Sequence, residues 1–377
     1  MKILVISHEY PPIGGGGGQV VADICTQLAA RGHSIHILTA LFGDQPRIEE
    51  QGHLCIERVP SCRTQSYRAG FMTMACFIVR STLRGLRIIR AENPDLIHAH
   101  FAVPAGAAAW ALARLTGKPY MITAHGGDVP GGAPQKTDRW FRYVLPFTRP
   151  FWKKAAAVTS VSEQTCRFAR QHYPVNIQVI PNGIDTNACQ PGAFNPTRPP
   201  RILYVGRFSP EKNAIAVPQA LARLKELAWE CVMLGDGPQM TEVKAAISAN
   251  GLQERIRLTG WVDPQEVMRW MSESDILLMP SLLDSMPVAG LQGLAMGLAL
   301  VLSDIGSCPE YINGGRNGFL VKPGDLDGYA NALRALLNDK HLLANARAAS
   351  RQHARRFDLA KAIDDYETVY KKVAGGH

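Results

Sequence analysis

The chain has 377 residues. A chain of this length usually exceeds what a single hydrophobic core can stabilise, so the length predicts two domains. Apolar residues make up 46% of the sequence and charged residues 19%, a composition that excludes extensive disorder. The net charge of +9 suits an anionic ligand, an anionic membrane surface or nucleic acid, without choosing among them. No apolar stretch approaches the ~20 residues that a membrane-spanning helix needs, so we expect a soluble or peripheral protein.

The first half of the chain alternates short apolar runs with helical patterns. The opening run is too short for a signal peptide and predicts a strand at Ile3–Ile6. Val20, Ile24 and Leu28 then recur at helical spacing. Further strands are predicted at Ile35–Leu38, Leu96–His98, Tyr120–Thr123 and Val158–Val161. Short apolar strands that alternate with helices predict a parallel sheet covered on both faces.

A proline-rich segment, Pro191–Pro200, interrupts this pattern and is interpreted as a linker. The pattern then restarts, with strands predicted at Ile202–Val205, Cys231–Leu234, Ile256–Leu258, Ile276–Met279 and Leu300–Leu302. We therefore expect an α/β protein with two doubly wound, Rossmann-like domains, residues 1–195 and 196–359, and a helix at about 360–377 that packs back on the first. Such domains bind ligands at the carboxyl ends of their strands, which predicts a central cleft.

The eight cysteines show neither CxxC spacing nor an accompanying histidine pair. Structural zinc sites need such spacing, so free thiols in a reducing cytoplasm are the preferred interpretation.

A glycine run, Gly14–Gly18, lies between the first predicted strand and the first predicted helix. Glycine permits close backbone approach, and a helix N-terminus attracts anions. The run is not the GxGxxG pattern of a dinucleotide site. Contact with a phosphate or sugar and a plain tight turn both remain open.

Two cations, Arg207 and Lys212, follow the first strand of the second half in VGRFSPEKN. Cations at a strand's carboxyl end can clamp a diphosphate, the arginine as a fork and the lysine as a point charge. The alternative is two solvated surface cations. His125, in TAHGGDV, likewise follows a strand, and it is either a structural histidine or a functional one.

Asp284 and Gln292 frame a stretch that leads into a helix beginning at about Val288, with Pro287 suited to its first turn. The N-terminus of this helix offers partial positive charge to an anion.

Taken in order and with their spacing, these segments resemble the retaining GT-B glycosyltransferases of the family 4 type, also called glycosyl transferases group 1. The resemblance runs nearly the whole chain, through YPPIGGGGG, HAHFAVPAG, TAHGGDV, SVSE, VIPNGID, VGRFSPEKN, MLGDGP, LTGWV, PSLLDSMPVAGLQGLAMG and GFLVKPGDLDGYANAL.

The resemblance implies a role for each matched position. Arg207 and Lys212 match the pair that binds the donor diphosphate, and His125 matches a histidine that contacts the transferred sugar. Val262 matches the segment whose backbone reads the base. The remaining matched positions are the glycine loop beside the diphosphate, at Gly15, Gly16 and Gly17, and the donor-binding segment at Asp284, Met286, Pro287, Val288 and Gln292.

One departure concerns the acidic pair of the family, Glu-x7-Glu, which is Asp284 and Gln292 here. Asp284 keeps the charge but reaches one methylene less. Gln292 still offers an acceptor to a ribose hydroxyl, but a neutral hydrogen bond is roughly half as strong as a charge-assisted one. The identity of the sugar donor therefore cannot be inferred from that of the family's other members.

The resemblance implies a hexosyltransferase that moves a sugar, with retention, from a nucleotide diphosphate-sugar to a glycan or lipid-linked acceptor, as in polysaccharide biosynthesis. A UDP-sugar is favoured. No cofactor or metal is expected, because no DxD pair follows a strand. The alternatives are a non-catalytic sugar-nucleotide binder, an epimerase or phosphorylase of the same architecture, and a nucleic-acid-binding protein, which would need a recognition motif that is missing.

A basic segment in the first half predicts peripheral attachment to the inner face of an anionic membrane. Arg80, Arg84 and Arg87 share one helical face beside an apolar stripe, Val79, Leu83 and Leu86. Such a helix can lie at a lipid surface. The alternative is a helix that packs on the core and has a solvated basic edge.

Overall fold

The computed structural model describes residues 1–65, 69–132, 134–192, 199–284 and 287–375. The chain forms two compact units, Met1–Gly183 together with Leu359–His377, and Ile184–Asp358. The division after Gly183 lies upstream of residue 195, where the sequence placed it. Residues 193–198 of the predicted linker lie outside the described residues.

The first unit contains an eight-stranded sheet in the order β3-β4-β2-β1-β5-β6-β7-β8. All neighbouring strands are parallel except β3 and β4. The predicted runs fall on strands of this sheet, except that Val161 lies just past the end of β7. Their continuous apolar character suits strands that helices cover on both faces. The strands are β1 (Lys2–Ile6), β2 (Ser34–Leu41), β3 (Ile48–Gln51), β4 (Leu54–Pro60), β5 (Leu96–His100), β6 (Tyr120–Ala124), β7 (Ala157–Ser160) and β8 (Gln178–Val179).

Among the described residues of the first unit, six helices accompany this sheet. They are α1 (Gly16–Ala30), α2 (Phe71–Glu92), α3 (Ala105–Thr116), α4 (Pro134–Lys154), α5 (Glu163–His172) and the last helix of the chain, α13 (Leu359–Gly375). The last helix is tied to the sheet layer by buried and surface contacts. The Tyr370 hydroxyl lies 2.8 Å from His98 Nδ1 in β5, and Arg31 donates to Asp364 at 2.6 Å. The C-terminal residues thus complete the first unit.

The second unit contains a six-stranded, wholly parallel sheet in the order β11-β10-β9-β12-β13-β14. Its strands are β9 (Arg201–Val205), β10 (Glu230–Leu234), β11 (Ile256–Gly260), β12 (Ile276–Met279), β13 (Ala299–Ser303) and β14 (Gly318–Val321). Its helices are α6 (Ala216–Leu221), α7 (Met240–Ala249), α8 (Pro264–Ser272), α9 (Val288–Ala295), α10 (Cys308–Tyr311), α11 (Leu326–Asn338) and α12 (Lys340–Ala354).

A fully buried ion pair lies in the second unit. Arg347 on α12 is 1% exposed and donates to Asp275, just before β12, at 2.6 Å. Asp275 also accepts from the backbone nitrogen of Arg201 at 2.8 Å. Such a pair is tolerated only when further hydrogen bonds satisfy its polar atoms, as they do here.

Candidate active site

The sheet of the second unit has a switch point between β9 and β12. Strand β9 is followed in sequence by its neighbour on one side, β10, and later by its neighbour on the other side, β12. The loops after β9 and β12 therefore diverge, and in doubly wound sheets ligands bind in the crevice that this leaves. The loop after β9 carries Arg207 and Lys212, and the loop after β12 carries Asp284.

An ion pair joins these two loops. Lys212 Nζ contacts Asp284 Oδ2, and the two side chains are 28% and 12% exposed. Two further hydrogen bonds join the loops. Leu282 N donates to Glu211 O at 2.8 Å between the backbones, and the side-chain amide Asn213 Nδ2 donates to Pro280 O at 3.2 Å. The structure thus brings together a cation and a carboxylate that lie 72 residues apart in sequence.

Arg207 lies on the same loop, but its side chain is exposed. Its carbonyl accepts from the Tyr204 hydroxyl at 3.2 Å, which fixes the backbone at this position. The neighbouring loop after β10 packs closely on it. A Cβ on Gly235, which has a φ of +136°, would lie 1.9 Å from Gly206 O. The close approach of these loops therefore requires glycine.

Helix α9 begins directly after this site. Pro287 occupies its N-cap position with an extended backbone, and Val288 is its first residue. Gln292 lies one turn further on and is half-buried. Met286 lies outside the described residues. The sequence therefore located the start of this helix correctly, while the role of each side chain stays a prediction.

Val262 follows β11 at the same edge of the sheet. It is half-buried beside Trp261, whose side chain is 76% exposed. Gly235 N donates to Gly260 O at 2.9 Å, which ties the end of β10 to the end of β11. Val262 thus shares the carboxyl edge of the sheet with the Lys212–Asp284 pair.

The glycine run belongs to the first unit, and the sequence prediction of its position needs correction. Helix α1 begins at Gly16, with Gly15 as its N-cap, so Gly16, Gly17 and Gly18 are helical rather than part of a loop. Close packing explains the glycines in this first turn. A Cβ on Gly17 would lie 3.0 Å from the ring of Phe101, and one on Gly18 would lie 2.8 Å from the carbonyl oxygen of Ile13.

His125 follows β6 in the first unit and is 8% exposed. Its ring stacks on Phe101 with centroids 4.2 Å apart, and its Nε2 lies 3.1 Å from His100 Nδ1. Burial lowers the pKa of His125 to about 3, so the ring is neutral at physiological pH. Within the described part of the chain, His125 Nδ1 has no hydrogen-bond partner. An unpaired buried nitrogen of a neutral imidazole suits a hydrogen bond to an uncharged ligand group.

Asp128 holds the backbone of this histidine. Its carboxylate accepts from His125 N at 2.8 Å and also from Ala102 N, which joins the loops after β6 and β5. Burial raises the pKa of Asp128 to about 6, although the backbone hydrogen bonds oppose this shift. Asp128 is thus a positioning residue.

Three further histidines surround this position, and none of them was predicted from the sequence to have a role. His98 and His100 lie two residues apart on β5, so both rings project from one face of the sheet, with centroids 4.0 Å apart. His8 follows β1 and packs edge-on against Phe101 at 4.9 Å. Burial lowers the pKa of His8 and of His98 to about 3. The HAH spacing in an apolar strand was the available signal, since it predicts two imidazoles on one buried face.

Within the described residues, no three metal-binding side chains of the His, Cys, Asp and Glu types cluster as a metal site would require. The described helices include none that is both long enough and apolar enough to cross a bilayer.

Known proteins resemble both halves of this chain. The family model described as Glycosyltransferase Family 4 matches residues 14–188, and the model described as Glycosyl transferases group 1 matches residues 199–339. The N-acetyl-alpha-D-glucosaminyl L-malate synthase of Bacillus anthracis is 25% identical over 99% of this chain and 98% of its own length. The UDP-Gal:alpha-D-GlcNAc-diphosphoundecaprenol alpha-1,3-galactosyltransferase of Escherichia coli is 24% identical over 81% of this chain and 84% of its own.

Solved structures share the fold over the whole length. Sucrose-phosphate synthase from Thermosynechococcus elongatus aligns with a TM-score of 0.86 and 20% identity and covers 100% of both chains. Anabaena HepE in complex with UDP-glucose aligns with a TM-score of 0.75 and 19% identity over 98% of this chain and 99% of its own. The two family models together cover most of the sequence, and both α/β units agree with the fold of these neighbours. The chain therefore belongs to the GT-B glycosyltransferases of family 4 and group 1.

Proposed function

We propose that this enzyme transfers a sugar from a nucleotide diphosphate-sugar, preferably a UDP-sugar, to a glycan or lipid-linked acceptor, with retention at the anomeric carbon and without a metal ion. The observation that carries this proposal is the Lys212–Asp284 pair at the switch point of the second sheet. The UDP-glucose complex of the structural neighbour HepE supports the choice of donor.

Donor binding would rearrange this ion pair. The ammonium of Lys212 contacts the carboxylate of Asp284, and a diphosphate at the switch point would compete for this ammonium. Once Lys212 turns to the diphosphate, Asp284 is released to accept hydrogen bonds from the sugar hydroxyls. The resting ion pair thus keeps both groups at the site while the donor is absent.

The reaction needs no protein nucleophile. The departing phosphate oxygen takes the acceptor proton while the acceptor oxygen bonds the same face of the anomeric carbon. The protein would position the reactants and stabilise the negative charge that grows on the diphosphate. Arg207, Lys212 and the N-terminus of α9 would supply this positive field. His125, neutral because burial lowers its pKa to about 3, would contact a sugar hydroxyl.

Kinetics of Arg207→Ala and Lys212→Ala test the diphosphate assignment. Each change should lower kcat/KM, because it removes about 2–4 kcal/mol of transition-state stabilisation, the scale of one lost oxyanion contact. Lys340→Ala is a matched control, because Lys340 is exposed at the start of α12. Near-normal kcat/KM in both site variants would reject the assignment.

Chelation tests the role proposed for the protein's own cations. Transfer should survive EDTA, because Arg207, Lys212 and the helix N-terminus take the place that a divalent ion holds in metal-dependent enzymes. Loss of activity on chelation, with recovery on addition of Mn²⁺, would contradict the proposal.

We also propose that helix α2 attaches the enzyme to an anionic bilayer, where a lipid-linked acceptor would lie. Its outer face exposes apolar side chains, with Met72 at 74%, Val79 at 58% and Leu83 at 61%. Arg80 and Arg87 are exposed beside them. Basic groups that flank an apolar helix face favour an anionic leaflet by about 1 kcal/mol each.

The structure changes which side chains belong to this surface. The sequence placed Arg84 in the basic row and Leu86 in the apolar stripe. Arg84 instead donates to the buried carboxylate of Glu57, and Leu86 packs against the core. Arg90, exposed one turn after Arg87, completes the row of available cations.

Co-sedimentation with phosphatidylglycerol-containing vesicles tests this attachment. Arg80, Arg87 and Arg90 changed together to Glu should abolish binding at low salt, because the surface charge reverses. Arg316, Lys340 and Arg356 changed to Glu carry the same charge change elsewhere and should bind as the unmodified protein does. Equal binding by both triple variants, or no binding by the unmodified enzyme at low salt, would refute the attachment.

A further inference from the structure

Two thiols meet at the start of helix α2. Cys62 lies in the segment after β4, and Cys76 lies in the second turn of α2, 14 residues later. The Cys62 thiol donates to the sulfur of Cys76, and the two Sγ atoms are 2.9 Å apart. Cys62 is exposed and Cys76 is half-buried, whereas five of the other six cysteines are buried.

The backbone around both thiols is fixed. Cys62 adopts a φ of +55°, which turns the chain toward α2, and Thr73 Oγ1 donates to its carbonyl oxygen at 3.3 Å. Cys76 Sγ contacts Pro60 O, at the end of β4, at 3.8 Å. Strand β4 and the first turn of α2 therefore hold the two sulfurs against each other.

We propose that Cys62 and Cys76 are a redox modification site at which a peroxide or a small-molecule disulfide forms a reversible intramolecular disulfide bond. A disulfide bond is about 2.05 Å long, so the sulfurs need to close by less than about 1 Å. Rotation of the Cys62 side chain can supply this movement, because Cys62 is exposed.

With hydrogen peroxide the chemistry balances in two steps. One thiolate attacks a peroxide oxygen and becomes a sulfenic acid, while the peroxide O–O bond breaks and hydroxide leaves as water after protonation. The second thiolate attacks the sulfenic sulfur, and the S–O bond breaks to release a second water. Two thiols and one peroxide thus give one disulfide and two water molecules.

Exposure and the contact between the two sulfurs favour reaction at this pair over the other thiols. The pKa of Cys62 is raised, chiefly because its thiol donates to the sulfur of Cys76, and the nearby positive charge of Arg80 opposes that shift. Burial is the largest cause that raises the pKa of Cys25, Cys231 and Cys308, and it also excludes oxidants from these three. Cys62 is the exposed cysteine among the eight, and it combines this exposure with the nearby charge of Arg80 and with the sulfur of Cys76 in contact.

The disulfide would tie the second turn of α2 to the segment that follows β4. Arg63, the residue after Cys62, donates to the carbonyl oxygen of His8 at 3.4 Å, and His8 packs on Phe101 beside His125. Oxidation would therefore restrain the chain next to the buried histidines. Hydrogen exchange in the first turn of α2 should slow several-fold in the oxidised protein, because the disulfide prevents fraying of this turn.

Peptide mapping of the full-length enzyme tests the proposal. Trypsin releases Cys62 on residues 59–63 and Cys76 on residues 69–80, so the disulfide appears as a linked pair of these peptides. After treatment with equimolar hydrogen peroxide or with oxidised glutathione we expect this pair, and dithiothreitol should separate it. Cys55→Ser is the control, because Cys55 is the remaining half-buried thiol and its loss should leave the linked pair unchanged.

Cys62→Ser and Cys76→Ser should each abolish the linked peptides, and with oxidised glutathione the remaining thiol should carry a mixed disulfide. If the unmodified enzyme keeps both peptides reduced, or carries glutathione on each of them separately, the proposal is wrong. A linkage of Cys62 to any other cysteine would also overturn it.

Discussion

Replacing Asp284 with asparagine should change donor binding and catalysis in opposite directions. In the resting enzyme Lys212 is paired with Asp284, so a diphosphate has to draw the ammonium away from the carboxylate. Asp284→Asn removes that competition and keeps the shape of the side chain. We therefore expect tighter binding of UDP together with slower sugar transfer.

The size of each effect follows from the environment of the pair. Two unit charges about 4 Å apart attract by about 4 kcal/mol at an effective dielectric constant of 20. Lys212 is 28% exposed, so water offsets much of this attraction, and we expect a net competition of about 1 kcal/mol, or about fivefold in the Kd of UDP. The lost charge-assisted hydrogen bond to the sugar should lower kcat/KM by about 2 kcal/mol, or about thirtyfold.

Titration calorimetry with UDP and steady-state kinetics with the UDP-sugar measure the two effects. Asp327→Asn is a matched control, because Asp327, like Asp284, forms an ion pair with a cation. Its partner is Arg223, and this pair lies on the surface of the second unit. It should change neither quantity. Weaker UDP binding in Asp284→Asn would refute the reasoning, because the carboxylate would then be orienting Lys212 toward the diphosphate rather than competing for it.

Three further changes test other features. If residue 292 accepts a hydrogen bond from the ribose, Gln292→Glu should tighten UDP binding by about 1 kcal/mol, because a charged acceptor forms a stronger hydrogen bond. Unchanged or weaker binding by calorimetry would show that this residue does not bind the ribose. Arg347→Met should lower the free energy of unfolding by about 3–5 kcal/mol in urea titrations, because it leaves the Asp275 carboxylate buried without its cation. Adding Asp275→Asn should recover part of this loss. Full stability of the Arg347→Met variant would contradict the prediction. The pKa of Asp128 is raised to about 6, so its contribution to the free energy of unfolding is present at low pH and is lost as the pH rises through 6. Relative to Asp128→Asn, which does not titrate, the unmodified protein should lose about 2 kcal/mol of this free energy between pH 4.5 and 7. A difference between the two proteins that does not depend on pH would reject the pKa shift.

Much of the fold could be predicted because buried parallel strands have an unambiguous pattern. Runs such as Ile276–Met279 are short, continuously apolar and bounded by loops, and the structure makes them strands. The hairpin of β3 and β4 was not predicted, because Ile48–Gln51 is mostly polar and exposed and carries no periodic apolar signal. The glycine run was placed before α1 rather than within it, because helix propensity disfavours glycine, whereas close contacts of Phe101 and Ile13 require it.

The candidate site could be predicted only in part. The spacing after β9 and β12 located Arg207, Lys212 and Asp284, but local sequence cannot show that two of them form an ion pair across 72 residues. The partner of Arg84 was missed for the same reason, since Glu57 lies on a strand 27 residues earlier. Tertiary contacts of this kind decide which charges remain available to a ligand.

The position of α13 has a consequence for how the chain folds during synthesis. The first unit lacks its last helix, with Tyr370 against His98 and Asp364 against Arg31, until residues 359–375 have left the ribosome. Domains usually fold as the chain emerges, the N-terminal one first. Here the second unit, Ile184–Asp358, is complete while the first is still open along β5 and α1. A nascent chain that stalls before residue 359 would therefore carry one finished unit and one with exposed core, which makes the N-terminal half the part that chaperones have to protect.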